Sequence, residues 1–443
     1  MSKAHAHHDD YLMPKGYSFY LFGLLFLLYL FDYIDRQVII ALFPYLKDPV
    51  DGWGLSNAQC GMLVSAVYWS ILICTFPVSI IVDRWSRKKS IGIMATFWGL
   101  ATLACAFTQN FSQLFAARTA IGVGEAGYAP GGTAMISAIF PERIRSLMVG
   151  VWNSSIPLGM AMGIVLGGLV AGTFGWRHAF GIVAIPGLIV AILFFFVRDY
   201  KTVNLDKSDH PEANLAKQTK AIRQSMSKMD IFRAFAGTPS LLMTYLGFSG
   251  MMFLSTSLVT FMPTYFHDIQ GLAHDQANLM TSGVLLTAII GAPLGGFVAD
   301  RWFRVNPKAR LLVPALSAVV SAALYIIGFG FMEKGALQYV VFVLGGGVSI
   351  MYTSSAIAVT QDVIHPGLRA MSYALCVITQ HMFGSAIGPF ATGAWIDAHG
   401  VVSALSLVPV VAIVSGVIFF IGAQFYERDL AKVAKVRIEA EER

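Results

Sequence analysis

Long apolar stretches alternate with short polar ones along the whole chain. They fall near residues 17–46, 58–82, 90–110, 111–140, 146–172 and 177–197, and again near 239–267, 276–299, 310–331, 336–362, 369–396 and 402–426. Between the two sets lies one long polar segment, 198–238. Each stretch approaches or exceeds the roughly 20 residues a helix needs to cross hydrocarbon. The apolar runs are continuous rather than alternating, which excludes a membrane barrel. The pattern predicts an all-α membrane protein of twelve transmembrane helices, six on each side of a long linker. The expected segments are a polar N-terminal tail (1–16), a first bundle (17–197), a linker (198–238), a second bundle (239–426) and a C-terminal tail (427–443).

Composition agrees with this reading. Of 443 residues, 56% are apolar and 13% charged, against about 25% charged in soluble domains. The chain lacks the polar residues to coat a water-soluble globule. The 31 Lys and Arg are distributed unevenly, and that sets orientation. Arg36 and Arg118 lie within spans. Lys47, Arg177 and Lys334 lie in loops on one side, and all the others fall on the side of the two termini. Both termini are therefore expected in the cytoplasm. In the linker, Ile222, Met226, Met229 and Phe232 recur at helical spacing among Lys and Arg. This predicts a basic amphipathic helix over 221–235 lying on the cytoplasmic lipid surface.

The two halves echo each other. After the second span comes Asp83-Arg84-Trp85, and after the eighth Asp300-Arg301-Trp302, the latter preceded by Gly296 where the former has Ser79. An acid in such a loop can meet a helix N-terminus or an arginine, and its bases can reach carbonyls and lipid phosphates. Asp83, Arg84, Asp300 and Arg301 are the candidate conformational loop residues.

Charges inside spans are costly unless paired or wet, so they mark function. In the first span Asp32, Asp35 and Arg36 stand at i, i+3 and i+4. Two acids against one base leave a carboxylate in excess, suited to reversible protonation. In the fourth span Arg118 and Glu125 are two helical turns apart and share a face. Gly122, Gly124 and Gly127 there, and Gly159, Gly163, Gly167 and Gly168 in the fifth span, allow close helix packing. The four cysteines show no metal-ligand spacing.

The paired Asp-Arg-Trp loops resemble the cytoplasmic loop signature of the major facilitator superfamily, and the resemblance covers the whole chain. It implies the major facilitator fold, two six-helix bundles rocking about a central cavity. Asp35-Arg36, together with Gly122-Val123-Gly124-Glu125-Ala126, resembles the spinster-like subfamily. That subfamily has an Asn-Tyr-Met-Asp-Arg-like motif in the first helix; here Asp32 occupies the Asn position and Ile34 the Met position. The resemblance implies proton-linked or facilitated movement of lysolipids, sphingosine phosphate and related amphiphiles, with Asp35, Arg36, Arg118 and Glu125 as the polar coupling network.

The spans of the second half carry almost no charge, but Gln380 and His381 lie near the middle of the eleventh. That asymmetry suits an amphiphile, its charged head on the first half and its chain among apolar side chains of the second. Expected proton-coupling residues are Glu125, Asp35 and Asp32. Expected substrate contacts are Arg36, Arg118, Tyr33, Tyr128, His381 and Gln380. No Walker motif, nucleophile constellation or metal-ligand set is visible, so the chain is not expected to be an enzyme. No cofactor, metal or nucleic acid is expected. The expected partners are a small amphiphilic, anionic substrate, protons and membrane lipid, handled by a monomer in a bacterial cytoplasmic membrane. The rival within the same fold is a proton-driven multidrug or organic-anion transporter. A sensor or an intramembrane enzyme would need a signalling domain or a catalytic set that the sequence does not display.

Overall fold

A chain in hydrocarbon must satisfy its backbone polar groups internally, and an α-helix does so within one segment. The computed structural model follows that rule. It describes residues 11–50, 52–84, 87–126, 128–198, 228–365 and 368–433. In the first half the helices are α1 (Lys15–Ala41), α2 (Phe43–Lys47), α3 (Asn57–Arg84), α4 (Arg87–Cys105), α5 (Phe111–Glu125), α6 (Tyr128–Ile139), α7 (Glu142–Asn153), α8 (Ser155–Phe174) and α9 (Trp176–Phe194). A short α10 (Lys228–Ala236) ends the linker, and residues 221–227 of the expected amphipathic helix lie outside the described residues. The second half comprises α11 (Pro239–Thr264), α12 (His274–Leu286), α13 (Ala288–Phe303), α14 (Ala309–Gly330), α15 (Ala336–Ser349), α16 (Tyr352–Asp362), α17 (Arg369–Gln380), α18 (Gly388–His399) and α19 (Val401–Lys432). Single π-helical turns follow α11 (Tyr265–Ile269) and α17 (His381–Ser385).

Among the described residues, ten helical stretches are long and apolar enough to cross a membrane. All six expected spans of the second half are among them. The two expected positions outside the ten are α4, which opens on Arg87, Lys88 and Lys89, and the α5–α6 pair, which carries Arg118 and Glu125. With those two positions the arrangement accords with twelve. Gly175 joins α8 to α9 at φ 90°, and Gly400 joins α18 to α19 at φ 85°. This left-handed conformation suits glycine, and it recurs at equivalent points of the two halves.

The chain forms two compact units. The first holds residues 1–199, 256–289 and 386–405; the second holds 200–255, 290–385 and 406–443. In the first unit α8 packs closely on α1 along its glycine row. A Cβ at Gly159 would stand 2.7 Å from Leu30 O, one at Gly163 2.6 Å from Ile34 O, and one at Gly167 3.0 Å from Val38. Gly122 of α5 lies equally close to the Val67 carbonyl of α3. In the second unit, Phe329 and Phe342 pair with ring centroids 4.5 Å apart across α14 and α15. The buried Asp429 carboxylate accepts from the Ser240 N–H at 3.0 Å and its hydroxyl at 2.9 Å, tying the end of α19 to the start of α11.

Candidate functional site: a buried charge cluster on the first unit

The glycine row of α8 holds α1 close at Tyr33–Val38, the stretch that carries the ionisable residues. Arg36 projects toward two acids. Its Nη2 lies 3.0 Å from Asp32 Oδ2 and 3.3 Å from Oδ1. Its Nε lies 2.9 Å from Glu125 Oε2, an ion pair off the straight hydrogen-bond line. The guanidinium also sits 4.8 Å from the Tyr33 ring centroid and 6.0 Å from that of Tyr68, within cation–π range. Glu125 is buried and lies beside Asp32 as well as Arg36.

Asp35 has different surroundings. Consecutive helical residues point about 100° apart, so it cannot share Arg36's direction. Its Oδ2 accepts from the Thr102 hydroxyl of α4 at 3.0 Å, and its Oδ1 is buried with no hydrogen-bond partner among the described residues. Among the described residues, no cationic side chain bonds it.

Arg118 bonds backbone rather than acids. Its Nε donates to Leu63 O at 3.2 Å, Nη1 to Asp35 O at 2.9 Å and Nη2 to Arg36 O at 3.1 Å. It is 1% exposed. The side chain thus joins α5 to α3 and to the segment of α1 that carries the acids. Tyr128 is buried too: its hydroxyl donates to Leu25 O at 2.6 Å, and its ring lies among Trp98, Tyr29 and Trp152. Within 3.2 Å of the same carbonyl is Trp152 Nε1.

The structure therefore brings Asp32, Tyr33, Asp35, Arg36, Arg118, Glu125 and Tyr128 together on the first unit. Gln380 closes α17 and His381 opens the π turn, both half-buried in the second unit. Asp300 and Arg301 lie at the exposed end of α13. Asp300 pairs with Arg310, which also stands 3.6 Å from Asp362. Tyr426 donates to that second acid at 3.0 Å. Asp83 and Arg84 fall in the last turn of α3, and their side chains lie outside the described residues. Thr102, Tyr68, Arg310 and Asp362 are contributors that span periodicity does not reveal. A hydroxyl in an apolar helix has no signal of its own, and Asp362 ends a helix where a surface charge is ordinary.

The cluster has three buried acids, the buried Arg118 and the partly exposed Arg36 on one unit. With all five ionised it carries one excess negative charge, which one proton or one cation balances. It can hold a proton, and Arg36 can offer an anion two parallel bonds if either acid lets go of it.

Comparison with known proteins bears on the fold and the family. The chain is 23% identical over 438 residues to Protein spinster homolog 1 of Xenopus laevis, covering 92% of this chain and 81% of that one. It is 27% identical over 391 residues to the hexuronate transporter of Bacillus subtilis, covering 86% and 88%. The fold matches the crystal structure of a bacterial homologue of the human lysosomal transporter Spinster, in an inward-facing and unoccupied conformation, with a TM-score of 0.83 at 19% identity over 94% of this chain and 99% of that one. The family model of the Major Facilitator Superfamily matches residues 25–389. The chain is thus an integral multi-pass membrane protein and a transporter, not an enzyme, and it belongs to the Major Facilitator Superfamily.

Proposed function

We propose that this chain is a proton-coupled secondary transporter. It moves an amphiphilic anion of the lysophospholipid or sphingosine-phosphate class by alternating access. The carrying observation is Arg36 held between Asp32 and Glu125, with Asp35 buried beside them and bonded, among the described residues, by a neutral hydroxyl alone.

The proposed cycle follows from competition for one guanidinium. When Glu125 binds a proton, its attraction for Arg36 falls, and a phosphate or carboxylate head group takes its place. Two parallel charge-assisted bonds and the Tyr33 ring then hold the head group. Return of the ionised Glu125 to Arg36 displaces it. Asp35, which bonds no cationic side chain among the described residues, is costly to keep charged and is assigned to tune the charge of the cluster rather than to carry the coupled proton. Arg118 positions these groups: by bonding the Asp35 and Arg36 carbonyls it fixes the turn of α1 on which both side chains stand. Gln380 and His381 are assigned as polar substrate contacts of the second unit. Asp300 and Arg301 at the end of α13, with Asp83 and Arg84 at the end of α3, are assigned to the cytoplasmic helix ends that hold one state closed. The site of action proposed is a bacterial cytoplasmic membrane, with the protein acting as a monomer.

The Bacillus relative's name supports a second reading, transport of a small organic anion by the same cluster. Uptake into proteoliposomes separates the two. Lysophospholipid or sphingosine phosphate should accumulate with an imposed pH gradient and a hexuronate should not. The reverse result favours the second reading.

A further inference from the structure

At the end of the first unit opposite Lys15, the start of α3 receives a cap from two sources. The local one is a capping box. The Ser56 N–H donates to Gln59 Oε1 at 3.0 Å, and the Gln59 N–H donates to Ser56 Oγ at 3.2 Å. The first two helical N–H groups, those of Asn57 and Ala58, have no carbonyl to bond within the helix. Both are taken by one carboxylate far along the chain. Asp397 Oδ1 accepts from Asn57 N–H at 2.9 Å and from Asn57 Nδ2 at 2.8 Å, and Oδ2 accepts from Ala58 N–H at 2.8 Å.

The sequence is shaped to allow this. Asp397, Gly393 and Pro389 stand one helical turn apart on α18 and face α3. A Cβ on Gly393 would lie 2.2 Å from Asn57 O, and one on Gly61 2.2 Å from Pro389 O. Only glycines permit this approach, and the approach sets the carboxylate on the helix end. A negative group there is further favoured by the helix dipole. Around it, Thr392 donates to Ser257 Oγ at 2.9 Å, Ser282 donates to Ala161 O at 3.0 Å, and Lys47 stands 3.9 Å from Asp268. Of these contacts, Asp397 alone spends a full charge on three bonds to another helix.

We propose that Asp397 is the latch of the non-cytoplasmic gate, a helix cap that α18 lends to α3 and must withdraw before the two helices can part. The local capping box keeps α3 wound when the latch leaves, so the helix end survives opening. The proposal rests on alternating access by this transporter, and not on the nature of its substrate or on proton coupling.

The test compares two truncations at the same helix end. Asp397→Ala removes the bonds that cross between helices, and Gln59→Ala removes the bond that does not. Spin labels are placed at cysteines introduced at Val50 and Ala398, both exposed, with the four native cysteines replaced. Electron–electron distances are then measured in nanodiscs without substrate or pH gradient. Asp397→Ala is expected to raise the ratio of the longer to the shorter distance population about tenfold, the range of a lost helix cap. Gln59→Ala should leave it unchanged. Asn57→Ala, which loses only the side-chain bond, should give a smaller rise and carries the test if Asp397→Ala does not fold. An unchanged distribution in Asp397→Ala, or equal shifts in Asp397→Ala and Gln59→Ala, overturns the proposal. Because no substrate is present, its failure is separate from a failure of the lipid or proton reading.

Discussion

Replacement of Glu125 by glutamine isolates the proton from the shape of the side chain. Glutamine is nearly isosteric with a protonated glutamate and cannot ionise. In the structure the change removes the charge 2.9 Å from Arg36 Nε and leaves Asp32 as the acid bonded to that arginine. The three-acid, two-base cluster becomes balanced, so it no longer needs a proton to accept an anion. The size of the effect follows from linkage. One pH unit is worth about 1.36 kcal/mol per proton, so a carrier moving one proton per substrate can sustain about tenfold accumulation across that gradient. Glu125→Gln is predicted to reduce that ratio to about one. Exchange of labelled against unlabelled substrate between equal pools should persist, because the binding groups remain. Both are measured in proteoliposomes, with a protonophore as the zero-gradient control. If Glu125→Gln still accumulates substrate several-fold in response to the gradient, the reasoning fails and Asp35 becomes the primary carrier.

Three further outcomes are expected. Arg36→Lys keeps the charge but cannot reproduce the fork that spans Asp32 and Glu125; substrate affinity should fall on the order of 10- to 100-fold, the range of one charge-assisted bond, and parent-like binding by calorimetry would remove Arg36 as the head-group contact. Asp35→Asn should shift the pH dependence of exchange without abolishing binding, since Asp35 bonds Thr102 and not Arg36; an unchanged pH profile would show that Asp35 takes no part in coupling. Gly163→Val drives a side chain into the Ile34 carbonyl of α1 and is expected to cost about 1–3 kcal/mol by overpacking, read as a lower melting temperature in detergent, whereas Gly181→Val, where open space surrounds the position, should melt like the parent.

Periodicity within single helices made much of this legible. The Asp32–Arg36 pair follows from i, i+4 spacing, and the glycine row of α8 from residues recurring every fourth position. What periodicity cannot supply is the surface opposite. Arg118 and Glu125 share a face of α5, yet the groups nearest Arg118 are carbonyls of α1 and α3, while Glu125 reaches Arg36. A carbonyl leaves no mark in a sequence, so a backbone-bound arginine reads the same as an ion-paired one. Asp35 is similar: its neighbour in sequence is an arginine, but its neighbour in space is Thr102. Asp397 was hidden for the same reason, since its partners are mainly N–H groups 340 residues away.

The central claim is that a proton on Glu125 frees Arg36 for an amphiphilic anion, so that the two are carried together. The direct measurement is uptake of a labelled lysophospholipid by the parent protein in sealed proteoliposomes, with the pH gradient imposed in each direction and then collapsed. The expected result is accumulation that follows the sign of the gradient, reaches about tenfold per pH unit for one coupled proton, and vanishes with a protonophore. Uptake that only equilibrates, at the same rate and to the same level whatever the gradient, would contradict it.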